Sequence, residues 1–332
     1  MFRVMKLSQD MEGRIRVRKK RKRRRLRKWV KITLTLLFLI TAATITYIFS
    51  IYNHAKTTVT EEMNINLNSI DDKKTKSKIE NKEIINVLLL GVDERQEVEG
   101  SRSDTIILMS LDPKKEKLTM VSIPRDTRTV MAKKGKKDKI NAAFSYGGPD
   151  MAIETVENFL DIDLDYYVQI NMEGLADLVD AIGGISVNNE IEWYDEGFYK
   201  QGYHFKKGKI QLDGAKTIGY VRMRHLDPTG DFGRTERQRK VIRAIIDKGT
   251  SFATVTKING LIDVLGKNMI TNIKFNEIKK LIVNYKNVVN NINGYMVQGE
   301  DDTINGVYYY IVSDEEVSKV QDMVTGGRSK KS

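Results

Sequence analysis

The sequence predicts an α/β fold: a three-layer α-β-α domain with a central mixed sheet, preceded by one N-terminal transmembrane helix. Two observations carry this. From residue 83 onward, short apolar runs alternate with segments whose apolar residues recur at helical spacing, the pattern of a sheet covered by helices on both faces. Ahead of that region, Ile32–Ile51 runs for 20 residues without a charge. At about 1.5 Å per residue, such a run crosses a bilayer core of roughly 30 Å.

The basic excess lies entirely ahead of that run. The formal net charge is +12, and residues 1–28 hold 14 Lys or Arg against two acids, Asp10 and Glu12, so the rest of the chain is neutral. Positive flanks stay cytoplasmic, which places everything after the run outside the cell. Trp29 at one end and Tyr47 and Tyr52 near the other occupy the positions of interfacial aromatics. The threonines of the run can return their hydroxyls to carbonyls of the preceding turn. A cleaved signal peptide would have a shorter apolar core and a small-residue cleavage site, and Tyr47-Ile48-Phe49-Ser50-Ile51-Tyr52 is a poor one. The organisation follows: 1–28, basic cytoplasmic tail; 29–52, transmembrane helix; 53–82, polar stalk, partly helical and partly flexible; 83–327, extracytoplasmic domain; 328–332, tail. The basic tail has no interleaved aromatics, so it reads as a topology signal that also meets lipid head groups, and no nucleic-acid partner is expected. With no cysteine, the chain has neither disulfide, thiolate metal site nor Cys nucleophile, and three histidines (His54, His204, His225) argue against a multi-His metal site.

Within the domain, Ile84–Gly91, Thr105–Leu111 and Lys117–Ile123 read as three strands, with Asp112-Pro113 as a turn. Met151, Ile153, Val156, Phe159 and Leu160 have helical spacing, as do Met172, Leu175, Leu178, Val179 and Ile182, ended by Gly183-Gly184. Further helices are read over Val241–Ile246 and, as one long element, Ile273–Val289. Strands are interleaved at Tyr167–Ile170, Ile185–Val187, Gly219–Arg222, Tyr295–Gln298 and Val307–Val312. A closing helix, Asp314–Val324, begins with Ser313 and Glu316 as a capping box.

Four constellations carry chemistry. Asp93 lies just past the first strand and Asp104 just before the second. Joined by a loop, the two carboxylates would share one sheet edge and suit Mg²⁺, with loop capping and pairing to Arg95 and Arg102 as an equal alternative. Arg125, in Ile123-Pro124-Arg125-Asp126, stands at a rigid turn from which it can grip a phosphate, or pair with Asp126. In a strand, Arg222 and Arg224 would share a face and repel unless an anion or carboxylate lay between them, with a solvated strand edge as the alternative. Gly230-Asp231-Phe232-Gly233 leads into a helix whose first turns carry Arg234, Arg237 and Gln238, where backbone N–H groups also favour anions. A neutral domain that gathers arginines at element ends beside two acids fits a pyrophosphate with a divalent cation.

On these residues the chain resembles the LytR-CpsA-Psr family of cell-wall glycopolymer ligases. The resemblance spans about residues 84–325 and includes Lys139–Gly148, Asp180–Ile185 and Leu212-Asp213-Gly214. It implies a phosphotransferase dependent on Mg²⁺, with Mn²⁺ as the alternative metal. The donor would be an anionic glycopolymer such as wall teichoic acid on undecaprenyl pyrophosphate, with the prenyl tail in an apolar tunnel. Peptidoglycan would be the acceptor, typically at the C6 hydroxyl of N-acetylmuramic acid. Carried over by motif, Asp93 and Asp104 match the metal-associated acids, which with Arg125 form the catalytic set. Arg102, Arg125, Arg222, Arg224, Arg234, Arg237 and Gln238 match the pyrophosphate-binding set. The implied location is the cell membrane, single-pass type II, in a Gram-positive type of envelope. Two other readings use the same sequence: a membrane-anchored regulator or attenuator acting through its basic tail, and a pyrophosphatase that hydrolyses the prenyl donor.

The charge asymmetry makes a topological prediction. Protease added to intact protoplasts should remove the domain beyond about residue 60, and full protection of that domain would overturn the outside assignment.

Overall fold

A computed structural model describes residues 27–92, 102–249 and 258–327. The chain divides into two compact units, residues 1–49 and 50–332. In the first unit, the described residues form most of one helix, α1 (Lys28–Thr57). None of its residues is buried, and Trp29, Phe38 and Phe49 are each more than 60% exposed. It is the one described helix long and apolar enough to cross a membrane. Thr33, Thr35, Thr41, Thr44 and Thr46 donate hydroxyls to carbonyls three or four residues back, so no hydroxyl of these side chains is left unpaired in an apolar surround.

The second unit is built on a six-stranded mixed sheet. In chain order its strands are β1 (Ile85–Val92), β2 (Ser103–Asp112), β3 (Lys117–Ser122), β6 (Tyr166–Asn171), β11 (Met269–Thr271) and β12 (Ile292–Met296). They lie side by side as β11-β6-β1-β2-β3-β12. β1 pairs antiparallel with β2, from Ile85 opposite Leu111 to Val92 opposite Ser103, and parallel with β6. β2 pairs antiparallel with β3, and β3 parallel with β12. Small two-stranded sheets decorate it: β4 (Arg128–Val130) with β5 (Lys137–Lys139), β7 (Ile185–Asn189) with β10 (Gly208–Leu212), β8 (Trp193–Tyr194) with β9 (His204–Phe205), and β13 (Glu300–Ile304) with β14 (Val307–Ile311).

The strands are apolar on both faces because both are covered. Leu88, Leu90, Ile106, Leu108 and Val121 point to one face, under α3 (Ala142–Leu160) and α9 (Asp314–Thr325). Their sequence neighbours Val87, Ile107 and Met120 point to the other, under α2 (Asp72–Glu80), α6 (Asp231–Gly249) and α8 (Phe275–Asn284). A third core gathers Trp193, Phe205, Tyr220 and Val241 among α4 (Met172–Ala181), α5 (Gly214–Arg222) and α6. α7 (Ile258–Asn268) packs on α4.

Three expectations are revised. Gly219–Arg222 is not a strand but the end of α5, because Asp213 caps that helix by accepting from the Lys216 N–H at 2.8 Å. A short apolar run fits either element, and the cap decided it. The long helix read over Ile273–Val289 is shorter: α8 ends at Asn284, Tyr285 closes it, and Val288–Asn290 forms a 3₁₀ turn. The box at Ser313 is half made. Ser313 accepts from the Glu316 N–H, but the Glu316 carboxylate accepts instead from the Tyr295 hydroxyl at 2.6 Å and the Gln298 N–H at 2.9 Å. The segment 53–82, read as a stalk in part helical, carries a π-helix, Thr58–Met63, and α2, and buries Val59, Met63, Ile70 and Ile79.

One buried pair fastens α2 to the sheet. Asp165, just before β6, accepts from the Asn86 N–H at 2.9 Å and from Lys78 Nζ at 2.7 Å. Burial pushes its carboxyl up, against the pull of Lys78 and these hydrogen bonds. Lys78→Ala, which strands that group, is expected to cost about 3–5 kcal/mol in denaturant unfolding. Lys280→Ala, whose partner Glu80 is exposed, should leave the midpoint unchanged.

Candidate active site

The register of the sheet sets the site. The Ile123 N–H donates to the Ile106 carbonyl at 2.9 Å, extending the β2–β3 pairing to the Pro124 turn. Arg125 is thereby held across from Asp104, and its Nη1 donates to Asp104 Oδ1 at 2.7 Å. Its Nε lies 3.5 Å from Asp126 Oδ2, and its Nη2 lies 4.0 Å from Asp231 Oδ1. Burial works against the Arg125 charge, yet Asp104, Asp231 and Asp126 together hold its pKa above the ordinary arginine value.

The other wall comes from α5, the loop after it and the first turns of α6. Arg222 ends α5, Met223 turns extended, and Arg224 follows in the loop. The two arginines therefore share no strand face, but they still meet. With Asp104, Arg125, Arg234 and Gln238 they line one recess of about 230 Å³. Arg224 Nε donates to His225 Nε2 at 3.1 Å, and His225 Nδ1 lies 3.3 Å from Glu196. This arrangement assigns the ring proton to Nδ1. Arg234 is buried, with its Nη2 2.7 Å from Asp231 Oδ1. Burial lowers its pKa; Asp231 pulls the other way, while Arg125 and Arg224 lower it further. Its Nε has no hydrogen-bond partner among the described residues. A buried guanidinium with an unpartnered Nε, set among other guanidiniums, is what an anion would relieve.

A second, larger cleft of about 500 Å³ adjoins the first and shares Arg125, Arg224 and His225 with it. Its other walls include Asp126, Asp231, Phe232, Tyr308 and Tyr310. Asp231 Oδ1 is buried and takes no aligned hydrogen bond among the described residues, despite its two arginine neighbours. A third, narrow cavity of about 50 Å³ shares Met172, Val221 and Gln238 with the recess and runs to Leu89, Leu175 and Ile242. Met109, Val168, Ile246 and Leu281 are, like Leu89 and Ile242, only partly buried against the same core between the sheet and the helices.

The arginines sort into two kinds. Arg237 does not join the recess: its Nε donates to the Tyr220 carbonyl at 3.1 Å, and Nη2 and Nη1 bond the Met223 carbonyl and Asp227. It clamps the loop that carries Arg224. Asp227 packs so close to α6 that a Cβ on Gly233 would fall 1.9 Å from its Oδ2. Arg102 is exposed and lines none of these cavities, and its charge helps keep the Asp138 carboxyl below its ordinary value against burial. Asp93 lies outside the described residues. Asp104 presents a carboxylate, the hard oxygen donor Mg²⁺ takes, to the recess. No cluster of three acids or histidines exists among the described residues, so a metal there would take its remaining ligands from phosphate and water. Sequence reading missed Asp231, Phe232 and Tyr308 as site residues. Asp231 was visible in the Gly230–Gly233 turn, but nothing local marked Tyr308 on β14.

The LytR_cpsA_psr family model matches residues 47–325. The polyisoprenyl-teichoic acid–peptidoglycan teichoic acid transferase TagU of Halalkalibacterium halodurans is 40% identical over 286 residues, 85% of this chain and 92% of that one. Among solved structures, an Enterococcus faecalis protein described as a transcriptional regulator is similar with a TM-score of 0.67 and 35% identity, over 76% of this chain and 92% of that one. TagT bound to LI-WTA is similar with a TM-score of 0.61 and 29% identity, over 74% of this chain and 91% of that one.

The two kinds of arginine should separate in the test tube. Arg237→Ala is expected to destabilise by roughly 3 kcal/mol, because it leaves Asp227 and two carbonyls without their donor. Burial pushes the Asp227 carboxyl up, but Thr229 and Arg237 hold it below its ordinary value. Its stabilising share is therefore complete above about pH 4 and lost as the pH falls further. Arg224→Ala should melt like the parent at every pH. Equal melting of both variants would remove the distinction.

Proposed function

Because this chain belongs to the LytR_cpsA_psr family, we propose that it is a membrane-anchored transferase that moves teichoic acid from a polyisoprenyl-pyrophosphate carrier to peptidoglycan. The observation that carries this is the shared wall: Arg125 and Arg224 line both the arginine recess and the aromatic, acidic cleft. A pyrophosphate gripped at that wall has its lipid on the recess side and meets its acceptor on the cleft side. The apolar cavity past Gln238, continued between β1, α6 and α8, suits the first isoprenoid units. Since that cavity is narrow, the helices must part to admit a tail. Phe232 and Tyr308 offer ring faces to a sugar, and Asp126 and Asp231 offer acceptors to its hydroxyls. A regulator would act through its basic tail, whereas every feature above lies in the outer domain.

In the proposed reaction, an acceptor hydroxyl oxygen forms a bond to the polymer-bearing phosphorus. The bond from that phosphorus to the bridging oxygen breaks, and polyisoprenyl phosphate leaves. Arg125, Arg222, Arg224 and Arg234 hold the phosphate oxygens and offset the charge gathering on the leaving group. Asp231, which lines the cleft and keeps its buried Oδ1 beside Arg234 and Arg125, takes the hydroxyl proton. Asp104 keeps Arg125 aimed and, with Asp93, would hold Mg²⁺. That ion would supply further charge neutralisation at the pyrophosphate.

The full chain in detergent, given a lipid-linked teichoic acid precursor and a peptidoglycan oligomer, should release polyisoprenyl phosphate in step with a linked product seen by mass spectrometry. Release without linkage would favour the pyrophosphatase reading. Asp231→Asn should bind donor normally and transfer about 10²–10⁴-fold more slowly, and Asp104→Asn should raise the Mg²⁺ requirement. Transfer at the parental rate by Asp231→Asn would remove its role.

A further inference from the structure

Helix α8 is apolar on two faces. Leu281 and the closing Tyr285 pack into the core under the sheet. Ile282 and Val283 turn outward, 64% and 71% exposed, more than any other described large apolar side chain of residues 50–332. An exposed apolar side chain is ordinary when isolated. These two are adjacent, flanked by Lys279, Lys280 and the exposed Lys286. At 3.6 residues per turn, Phe275, Lys279 and Ile282 fall on one stripe, with Val283 beside it.

That stripe is tied to one place in the chain. The Phe275 ring meets Tyr52 edge-on, with centroids 5.1 Å apart. Lys279 Nζ reaches the Tyr52 hydroxyl at 3.3 Å and stands over both rings, 5.3 Å from Tyr52 and 5.2 Å from Phe275. His54 pairs with Asp263 of α7 at 2.8 Å. Tyr52 directly follows Ile51, the last residue of the uncharged run. The outward face of α8 is thus fastened to the residue at which the apolar run ends.

We propose that this face of α8 docks on the membrane surface, with Ile282 and Val283 in the boundary between head groups and acyl chains and Lys279 and Lys286 against anionic lipid phosphates. The inference rests on reading α1 as a membrane anchor. A face held to Tyr52 then stays beside the bilayer, so it needs little affinity of its own. An apolar stripe bordered by lysines is the composition of an interfacial helix. The neighbouring acids do not oppose it: Glu80 pairs with Lys280, Asp263 with His54, and Glu277 is buried. Docking would also turn toward the bilayer the helix that covers the partly buried Met109, Val168 and Ile246, the side on which a polyisoprenyl tail would enter.

The chain has no cysteine, so single probes can be placed cleanly. Full-length protein carrying Val283→Cys, Leu37→Cys or Tyr194→Cys would be spin-labelled and reconstituted in nanodiscs containing phosphatidylglycerol. Its accessibility to oxygen and to a water-soluble nickel chelate would then be measured. The Leu37 probe marks lipid, and the Tyr194 probe, on an exposed hairpin, marks water. Docking is expected to make position 283 oxygen-favoured, like position 37, and Lys279→Glu with Lys286→Glu should shift it toward nickel. A nickel-favoured 283 matching position 194, with 37 in lipid, overturns the docking and leaves the anchor standing. A nickel-favoured 37 overturns the anchor itself, and the docking with it.

Discussion

The 2.7 Å ion pair between Arg125 and Asp104 is the contact on which the site depends. It joins the start of β2 to the turn after β3, and it is possible because those strands pair in one register. A slip of one residue would turn Asp104 to the opposite face of the sheet and leave Arg125 without its partner. From this pair the arrangement spreads outward. Asp231 lies 4.0 Å beyond Arg125, Arg234 lies 2.7 Å beyond Asp231, and Arg222 and Arg224 close the recess. Carboxylates alternate with guanidiniums, so the cluster holds together without a ligand while keeping a positive surplus for one.

Holding so many cations at a sheet edge requires a scaffold that does not relax away from the repulsion. Arg237 provides part of it by spending its donors on the Tyr220 and Met223 carbonyls and on Asp227. That fixes the loop bearing Arg224 to the second turn of α6. The aromatic core of Trp193, Phe205 and Tyr220 backs the same helix end, with Trp193 and Phe205 stacked at 4.8 Å. Two arginines three residues apart on one helix, Arg234 and Arg237, thus do different work: one faces the recess and the other braces its wall.

The second unit also has two distinct regions. Charged chemistry collects where β2, β3 and α6 meet, and exposed apolar side chains collect on α8 beside Tyr52. Leu89 and Ile242, which line the narrow cavity, pack partly buried against the same core as Leu281 of α8. An amphiphile with a phosphate head and a long apolar tail matches that polarity.

The sequence by itself determined the uncharged run, the basic tail, the three leading strands and the residue types of the site. Each is local: an apolar run, a charge count, an arginine after a proline. It placed Arg234 and Arg237 together on the first turns of α6, and their partners tell them apart: Asp231 for one, the Tyr220 and Met223 carbonyls and Asp227 for the other. It misread Gly219–Arg222 because four residues with one apolar stretch fit a strand or a helix, and the Asp213 cap decides between them. It did not find Tyr308, brought to the cleft by a hairpin far along the chain from Arg125. Pattern along a chain fixes what each segment can bury. Which polar atoms are left to face one another is settled only when the sheet's register and the helix ends are closed in three dimensions.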